Sequence, residues 1–216
     1  MVRSAKTKAI YGVSLFLFLL FGMLVALNLL GVFDPASKSI DATELSNYKY
    51  DVLIMRHELA PGGGDPKGFV LSNCSTQRNL NQEGIQLASK TGGKLSSLTN
   101  IAPLIYSSKW CRCLETATQI ALELSDSSSI NYTVEGTRGL NSFYQPSIGF
   151  TKEECMGWLT TDILDRLKKV EPNDRVHQTL LVTHQVTVEA LTGFKVESGG
   201  IVAYDSRTGD AARLTL

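Results

Sequence analysis

The sequence has no excess of charge of either sign, because its 216 residues include 21 Lys and Arg and 21 Asp and Glu residues. Domains that bind nucleic acid usually carry a basic excess or stripe, so we expect no nucleic-acid partner. Internal repeats and low-complexity tracts are also missing, which argues against a repeat protein and a disordered chain. Any anion site must therefore be built locally, from a few well-placed cations.

Metal-ligand patterns are scarce as well. The chain has three histidines and four cysteines, and its one Cys-x-Cys pair is followed by no second pair of ligands. We therefore expect neither a metal nor a cofactor. The run Gly62-Gly63-Gly64 lacks the lysine and the spacing of a phosphate-binding P-loop, so we interpret it as a loop at the rim of a site.

A long apolar run stands near the start of the chain. Residues 9–33 carry no charge and follow a short basic segment, residues 1–8. The run is long enough to cross a bilayer and shows no convincing cleavage site, which predicts a retained signal-anchor. The positive-inside rule places residues 1–8 in the cytoplasm. We thus expect a single-pass protein of the inner (plasma) membrane, with its C-terminal domain facing the periplasm or exterior.

Residues 34–50 are polar and mixed, and we predict a linker there, followed by one domain over residues 51–216. An exported domain lies in a compartment that permits disulfides. Cys74 is therefore a candidate for a bridge to Cys111 or Cys113, and the spacing leaves both pairings open.

Short apolar runs alternate with segments of helical periodicity along the domain. This alternation predicts an α/β fold, a three-layer α/β/α sandwich with a mainly parallel central sheet, preceded by an N-terminal transmembrane helix. A Thr-x-x-Glu capping box at Thr151–Glu154 marks one helix start. The predicted strands cover residues 51–55, 103–107, 132–135, 179–183, 201–204 and 212–216, and the predicted helices cover 81–95, 112–124 and 152–170.

Three of the predicted strands are followed by basic or imidazole side chains. Arg56 and His57 come after the first strand, Arg112 after the second, and His184 after the strand at 179–183. Because ligands bind at the carboxyl ends of parallel strands, we expect these side chains to converge if the strands are neighbours. Forked guanidinium donors match phosphate oxygens, so the set suits a phosphoryl group.

These segments resemble motifs of the histidine phosphatase (phosphoglycerate mutase-like) superfamily. Arg56-His57 after an apolar strand is similar to its Arg-His-Gly signature, and Ser107–Ala117 and Leu181–His184 resemble its second and third motifs. The segment Arg78–Gly84 resembles the one before the first helix in the short phosphohistidine-phosphatase branch. The resemblance covers about residues 51 to 204 and identifies a membrane-anchored member of that superfamily.

The resemblance implies a metal-independent phosphoric monoester hydrolase without a cofactor. His57 would take the phosphoryl group as a phosphohistidine, which water then hydrolyses. Arg56, Arg112 and His184 would stabilise the phosphoryl charge, and Arg78 would be a further phosphate ligand. The expected substrate is a phosphorylated small molecule or a phospho-glycan of the cell envelope, on the non-cytoplasmic side of the membrane.

Two departures from the family pattern leave the general acid open. The family's glycine after the histidine is Glu58 here, and neither Gln185 nor residues 139–143 supply the carboxylate expected in the family. Glu58, Asp65 and Glu115 are the candidate acids. A phosphohistidine protein phosphatase and a catalytically weak anion-binding module are therefore alternative functions.

Overall fold

The computed structural model describes residues 38–45, 49–98, 100–144 and 149–216. The predicted cytoplasmic tail at 1–8 and the predicted transmembrane segment at 9–33 lie outside the described residues. Within the described part of the chain, no helix has the length and apolar character needed to cross a bilayer.

Seven strands form a single sheet. The strands are β1 (Ser39–Ile40), β2 (Val52–Arg56), β3 (Leu104–Ser108), β4 (Thr133–Thr137), β5 (Thr179–Thr183), β6 (Ile201–Tyr204) and β7 (Ala211–Leu214). Their order in the sheet is β1-β7-β6-β2-β5-β3-β4. Strand β6 runs antiparallel to both of its neighbours, and all other pairs are parallel, which confirms the prediction of a mainly parallel sheet.

Helices connect most of the strands. The predicted capping box is present, because Thr151 Oγ1 accepts the Glu154 N–H while the Glu154 carboxylate accepts the Thr151 N–H. The helices are α1 (Ala42–Leu45), α2 (Gln82–Leu98), α3 (Cys111–Asp126), α4 (Lys152–Leu159), α5 (Asp165–Leu167) and α6 (Gln185–Thr192). A π-helical turn at Thr160–Leu164 joins α4 to α5, and 3-10 turns lie at Cys74–Thr76, Arg138–Leu140 and Pro172–Asp174.

The sheet buries both of its faces. In β2, Leu53 and Met55 belong to a core formed with α2 and α3, whereas Val52 and Ile54 belong to a core formed with α4, the π-helical turn and α6. Side chains alternate between the faces of a strand, so a continuous apolar run is what a strand covered on both sides requires. The predicted three-layer α/β/α arrangement is therefore confirmed.

The predicted linker at 34–50 extends too far. Ser39 pairs with Arg213 in the parallel ladder between β1 and β7, and Ile40, Leu45 and Tyr50 are buried in the core. Residues 39–45 and 49–50 are thus part of the domain. A two-residue strand has no recognisable period of its own, and β1 is defined only by its partner strand, which lies far away in the sequence.

A disulfide joins Cys74 to Cys111, the first residue of α3. Residues two apart on a helix do not share a face, so Cys113 points elsewhere and is a buried free thiol. The bridge closes a sequence separation of 37 residues. A loop of this length corresponds to a stabilisation of about 4 kcal/mol in the chain-entropy treatment. The bridge ties the loop before α2 to the start of α3.

Candidate active site

The carboxyl ends of three neighbouring strands carry the predicted site residues. Strand β5 lies between β2 and β3, and His57, His184 and Arg112 follow β2, β5 and β3 in turn. The two imidazole rings are 5.4 Å apart between centroids. Arg112 Nε is 3.2 Å from His57 Nε2, and Arg112 Nη2 is 3.5 Å from His184 Nδ1. The structure thus brings the three side chains together, as the sequence predicted.

These residues line a cavity of ≈ 490 Å³. Arg56 and Arg78 are also in its wall, and the Gly62–Gly64 segment forms part of the wall as the predicted rim loop. Among the described residues that line the cavity, Asp65 supplies the only carboxylate. Three guanidinium groups against one carboxylate leave a formal excess of two positive charges when both imidazoles are neutral. This charge matches that of a phosphomonoester dianion.

The tautomer of His57 is fixed by two contacts. Its Nδ1 lies 2.8 Å from the Glu58 carbonyl oxygen, which can only accept, so Nδ1 carries the hydrogen. Its Nε2 then keeps a lone pair, and the Nε–H of Arg112 donates to it. Burial and the charge of Arg112 lower the pKa of His57 to about 3, so the ring is neutral near pH 7. His57 therefore presents a neutral nucleophilic nitrogen.

On its other side, His184 contacts Ser108, which in turn contacts Asn141; no pattern in the sequence predicted a role for either residue. His184 Nε2 lies 2.9 Å from Ser108 Oγ, and Ser108 Oγ lies 3.3 Å from Asn141 Oδ1. Asn141 Oδ1 also accepts the N–H of Lys109, so it faces Ser108 as an acceptor. With Arg112 donating to Nδ1, the neutral ring carries its hydrogen on Nε2 and donates it to Ser108. Burial and Arg112 lower the pKa of His184 well below its usual value.

Arg56 and Arg78 are held by backbone carbonyl groups rather than by carboxylates. Arg56 Nη1 donates to the Val196 carbonyl at 2.9 Å, and Arg78 Nη1 donates to the Ala60 carbonyl. The Nε–H of each arginine is buried without an acceptor. Among the ion pairs of the described residues, none involves either side chain. Their charges are therefore available to an anion in the cavity.

Two of the three candidate acids, Glu58 and Glu115, do not line this cavity, which argues against either as the general acid. The Glu58 carboxylate accepts a hydrogen bond from Thr91 Oγ1 in α2, and it lines a different cavity. It packs against Gly199, whose φ of 77° and missing Cβ permit this close approach. Glu115 lies on α3 and is absent from the cavity wall. Asp65 is the one candidate acid in the wall.

No group of three or more His, Cys, Asp and Glu side chains suited to a metal ion occurs in the described parts of the chain. Apart from the Asp65 carboxylate, the charged groups that line the cavity in the described residues are guanidinium groups. What the arrangement provides chemically is a neutral imidazole nucleophile and a set of cationic donors around one small volume.

Comparisons with known proteins give similarity only at the level of solved structures. No protein-family model and no curated protein matches the chain. Similar solved structures include the protein histidine phosphatase SixA in complex with tungstate (16% identity, TM-score 0.47, 75% of this chain and 92% of that one). A phosphoglycerate mutase from Bacillus anthracis str. Sterne has 16% identity and a TM-score of 0.45, covering 79% of this chain and 95% of that one.

A third similar structure is a phosphoserine phosphatase from Entamoeba histolytica in complex with 3-phosphoglyceric acid (16% identity, TM-score 0.44, 75% of this chain and 93% of that one). These similar structures are members of the histidine phosphatase superfamily. Identities and TM-scores this low carry no argument about activity, so the function of this chain is inferred from its own residues.

Proposed function

We propose that this protein is a metal-independent phosphatase that hydrolyses a phosphomonoester through a phosphohistidine intermediate on His57. The observation that carries the proposal is the fixed tautomer of a buried, neutral His57. Its Nδ1–H is held by a backbone carbonyl, and its Nε2 lone pair lies in a cavity with three guanidinium groups. A nucleophile and the cations that stabilise transferred negative charge are the two requirements of phosphoryl transfer.

In the first step, the Nε2 lone pair of His57 forms the N–P bond while the bond from phosphorus to the leaving oxygen breaks. The leaving oxygen keeps the electron pair of that bond. Arg112 Nε–H, which donates to His57 Nε2 in the free protein, passes to a phosphoryl oxygen when substrate binds. Arg56 and Arg78 lie in the same cavity and supply further cationic donors to these oxygens, while the Nδ1 lone pair of His184 accepts from Arg112 Nη2. Water then attacks phosphorus, which releases inorganic phosphate and restores the neutral imidazole.

A phosphohistidine protein phosphatase is the second candidate function. It is favoured by the position of Asp65, which supplies the only carboxylate among the described residues that line the cavity. That carboxylate is ion-paired with Arg112 Nη1 at 2.8 Å. Without a free acid, leaving groups that depart without a proton donor are favoured, and the imidazole of a phosphohistidine is one of these. An anion-binding module with weak turnover is the third candidate.

Trapping the intermediate tests the proposal. The full chain in detergent is mixed with a radiolabelled aryl phosphate and quenched in alkali, where phosphohistidine survives and acyl phosphates do not. We expect alkali-stable, acid-labile label on the peptide that contains His57. Hydrolysis without label, or label on any other residue, would refute the covalent route. Binding of phosphate without hydrolysis would instead identify the anion-binding module.

We also propose that residues 9–33 retain the protein in the inner membrane, with the domain on the non-cytoplasmic side. The apolar run and the Cys74–Cys111 bridge, which is typical of oxidising compartments, support this location. The substrate is then a phosphorylated small molecule or a phospho-glycan of the envelope. A reporter that is active only outside the cytoplasm, fused after Leu216, is expected to be active in the membrane fraction. Activity only from a cytoplasmic reporter would contradict this topology.

A further inference from the structure

Asp65 is held in the cavity wall by contacts to three residues. Its Oδ1 is 2.8 Å from Arg112 Nη1 and accepts the backbone N–H of Arg78 at 2.9 Å. Its Oδ2 accepts the indole N–H of Trp110 at 3.1 Å. The Asp65 and Arg112 side chains are only 3% and 5% exposed. We propose that Asp65 is a positioning residue that orients Arg112 for phosphoryl transfer and is not the general acid. The inference rests on the proposed phosphatase function.

The guanidinium group of Arg112 uses different nitrogens for different partners. Asp65 and the Arg78 carbonyl accept from Nη1, while Nε and Nη2 face His57 and His184. A guanidinium group is planar and its five N–H bonds have fixed directions, so fixing Nη1 also fixes the direction of the Nε–Nη2 edge. That edge offers two parallel donors between the two imidazoles, which is where the proposed mechanism requires donors to the phosphoryl oxygens. Asp65 thus aims the donors without touching the substrate.

Asp65 and Arg112 belong to two different segments of the chain, a loop and a helix. Asp65 follows the Gly62–Gly64 run, in which Gly62 and Gly64 have φ values of 96° and 91°. Arg112 lies on α3, and the Cys74–Cys111 bridge ties that helix to the loop between Asp65 and α2. The ion pair therefore joins a glycine-rich loop to the helix that carries the phosphate-binding arginine.

The ionisation of Asp65 agrees with this role. Burial disfavours its charged form, but the N–H of Arg78 and the charge of Arg112 outweigh burial and hold the pKa of Asp65 below its usual value. The carboxylate has no proton to give to a leaving group near pH 7. A general acid requires the opposite shift, a pKa raised towards the working pH.

A series of aryl phosphates with leaving groups of different acidity separates the two roles. The full chain, Asp65→Asn and Asp65→Ala are compared by kcat, KM and the inhibition constant of inorganic phosphate. Misorienting Arg112 is expected to lower kcat by the same factor, on the order of 10- to 100-fold, for every leaving group. Asp65→Asn should keep more activity than Asp65→Ala, because its amide oxygen still accepts from Arg112 and Arg78.

Phosphate affinity provides the second readout. Removing a negative charge from an anion site does not weaken the attraction for phosphate, so neither KM nor the phosphate inhibition constant should rise. Asp126→Asn is the matched control, because Asp126 is exposed on the same helix as Arg112 and lies outside the cavity, and its kinetics should equal those of the parent.

Three results would overturn the proposal. The first is a loss confined to poor leaving groups, which is the behaviour of a general acid. The second is unchanged kinetics in both Asp65 variants. The third is loss of cooperative unfolding in the isosteric Asp65→Asn, which would assign Asp65 to the fold alone. Absence of hydrolysis by the parent would instead refute the proposed phosphatase function, so the two failures are distinguishable.

Discussion

Replacing His57 with alanine is expected to lower kcat for aryl phosphates by at least about 10³-fold. Alanine removes the nitrogen that attacks phosphorus while leaving Arg56, Arg78 and Arg112 to bind the anion. The inhibition constant of inorganic phosphate should therefore change much less than kcat. Steady-state rates of the parent and the variant, with phosphate as a competitive inhibitor, measure both effects.

His177→Ala is the matched control for this experiment. Of the three histidines of the chain, His177 is the one that does not line the candidate active-site cavity, and it lies beside a separate, smaller cavity. Its replacement should leave the hydrolysis rate unchanged. If His57→Ala keeps more than about a tenth of the parent kcat, His57 is not the nucleophile and the covalent mechanism fails.

Arg112→Lys is expected to lower kcat/KM by about 10²- to 10³-fold, equivalent to about 3–4 kcal/mol of transition-state stabilisation. Lysine keeps the charge but has a single ammonium group in place of a planar fork. It cannot bind Asp65 with one end while two parallel donors face the imidazoles, as Arg112 does. The loss therefore measures donor geometry rather than charge.

Arg166→Lys is the control, because it makes the same arginine-to-lysine change away from the cavity. Arg166 is exposed and donates to the Tyr106 hydroxyl, away from the cavity. Arg166→Lys should leave kcat/KM unchanged. Equal activity of Arg112→Lys and the parent would show that a point charge is sufficient, and it would remove the basis for the role of Asp65 as well.

The placement of the three site segments could be predicted because it depends on local signals. Buried runs such as Val52–Met55 and Thr179–Thr183 are strands covered on both faces, and such strands are parallel in α/β folds. Basic residues directly after them must then lie at one edge of the sheet. The prediction failed for Glu58, because direct sequence adjacency to His57 does not determine on which side of the backbone the next side chain lies.

What the sequence alone determined was the α/β class, the strand ends that bear Arg56, His57, Arg112 and His184, and the predicted chemistry of an anion site. These follow from residue type and periodicity, which act over a few neighbouring positions. The tertiary structure decided that Cys74 pairs with Cys111, that Ser39 and Ile40 join the sheet, and that the Glu58 carboxylate lies against Gly199.

The tertiary structure also decided the tautomers of His57 and His184 and the pairing of Asp65 with Arg112. Each of these depends on a partner group whose position is set by the fold. A hydrogen bond or ion pair requires both groups within about 3 Å in a defined direction, and no pattern along the chain specifies that distance. The sequence therefore supplied the groups of the site, and the packing of distant segments assigned each group its partner.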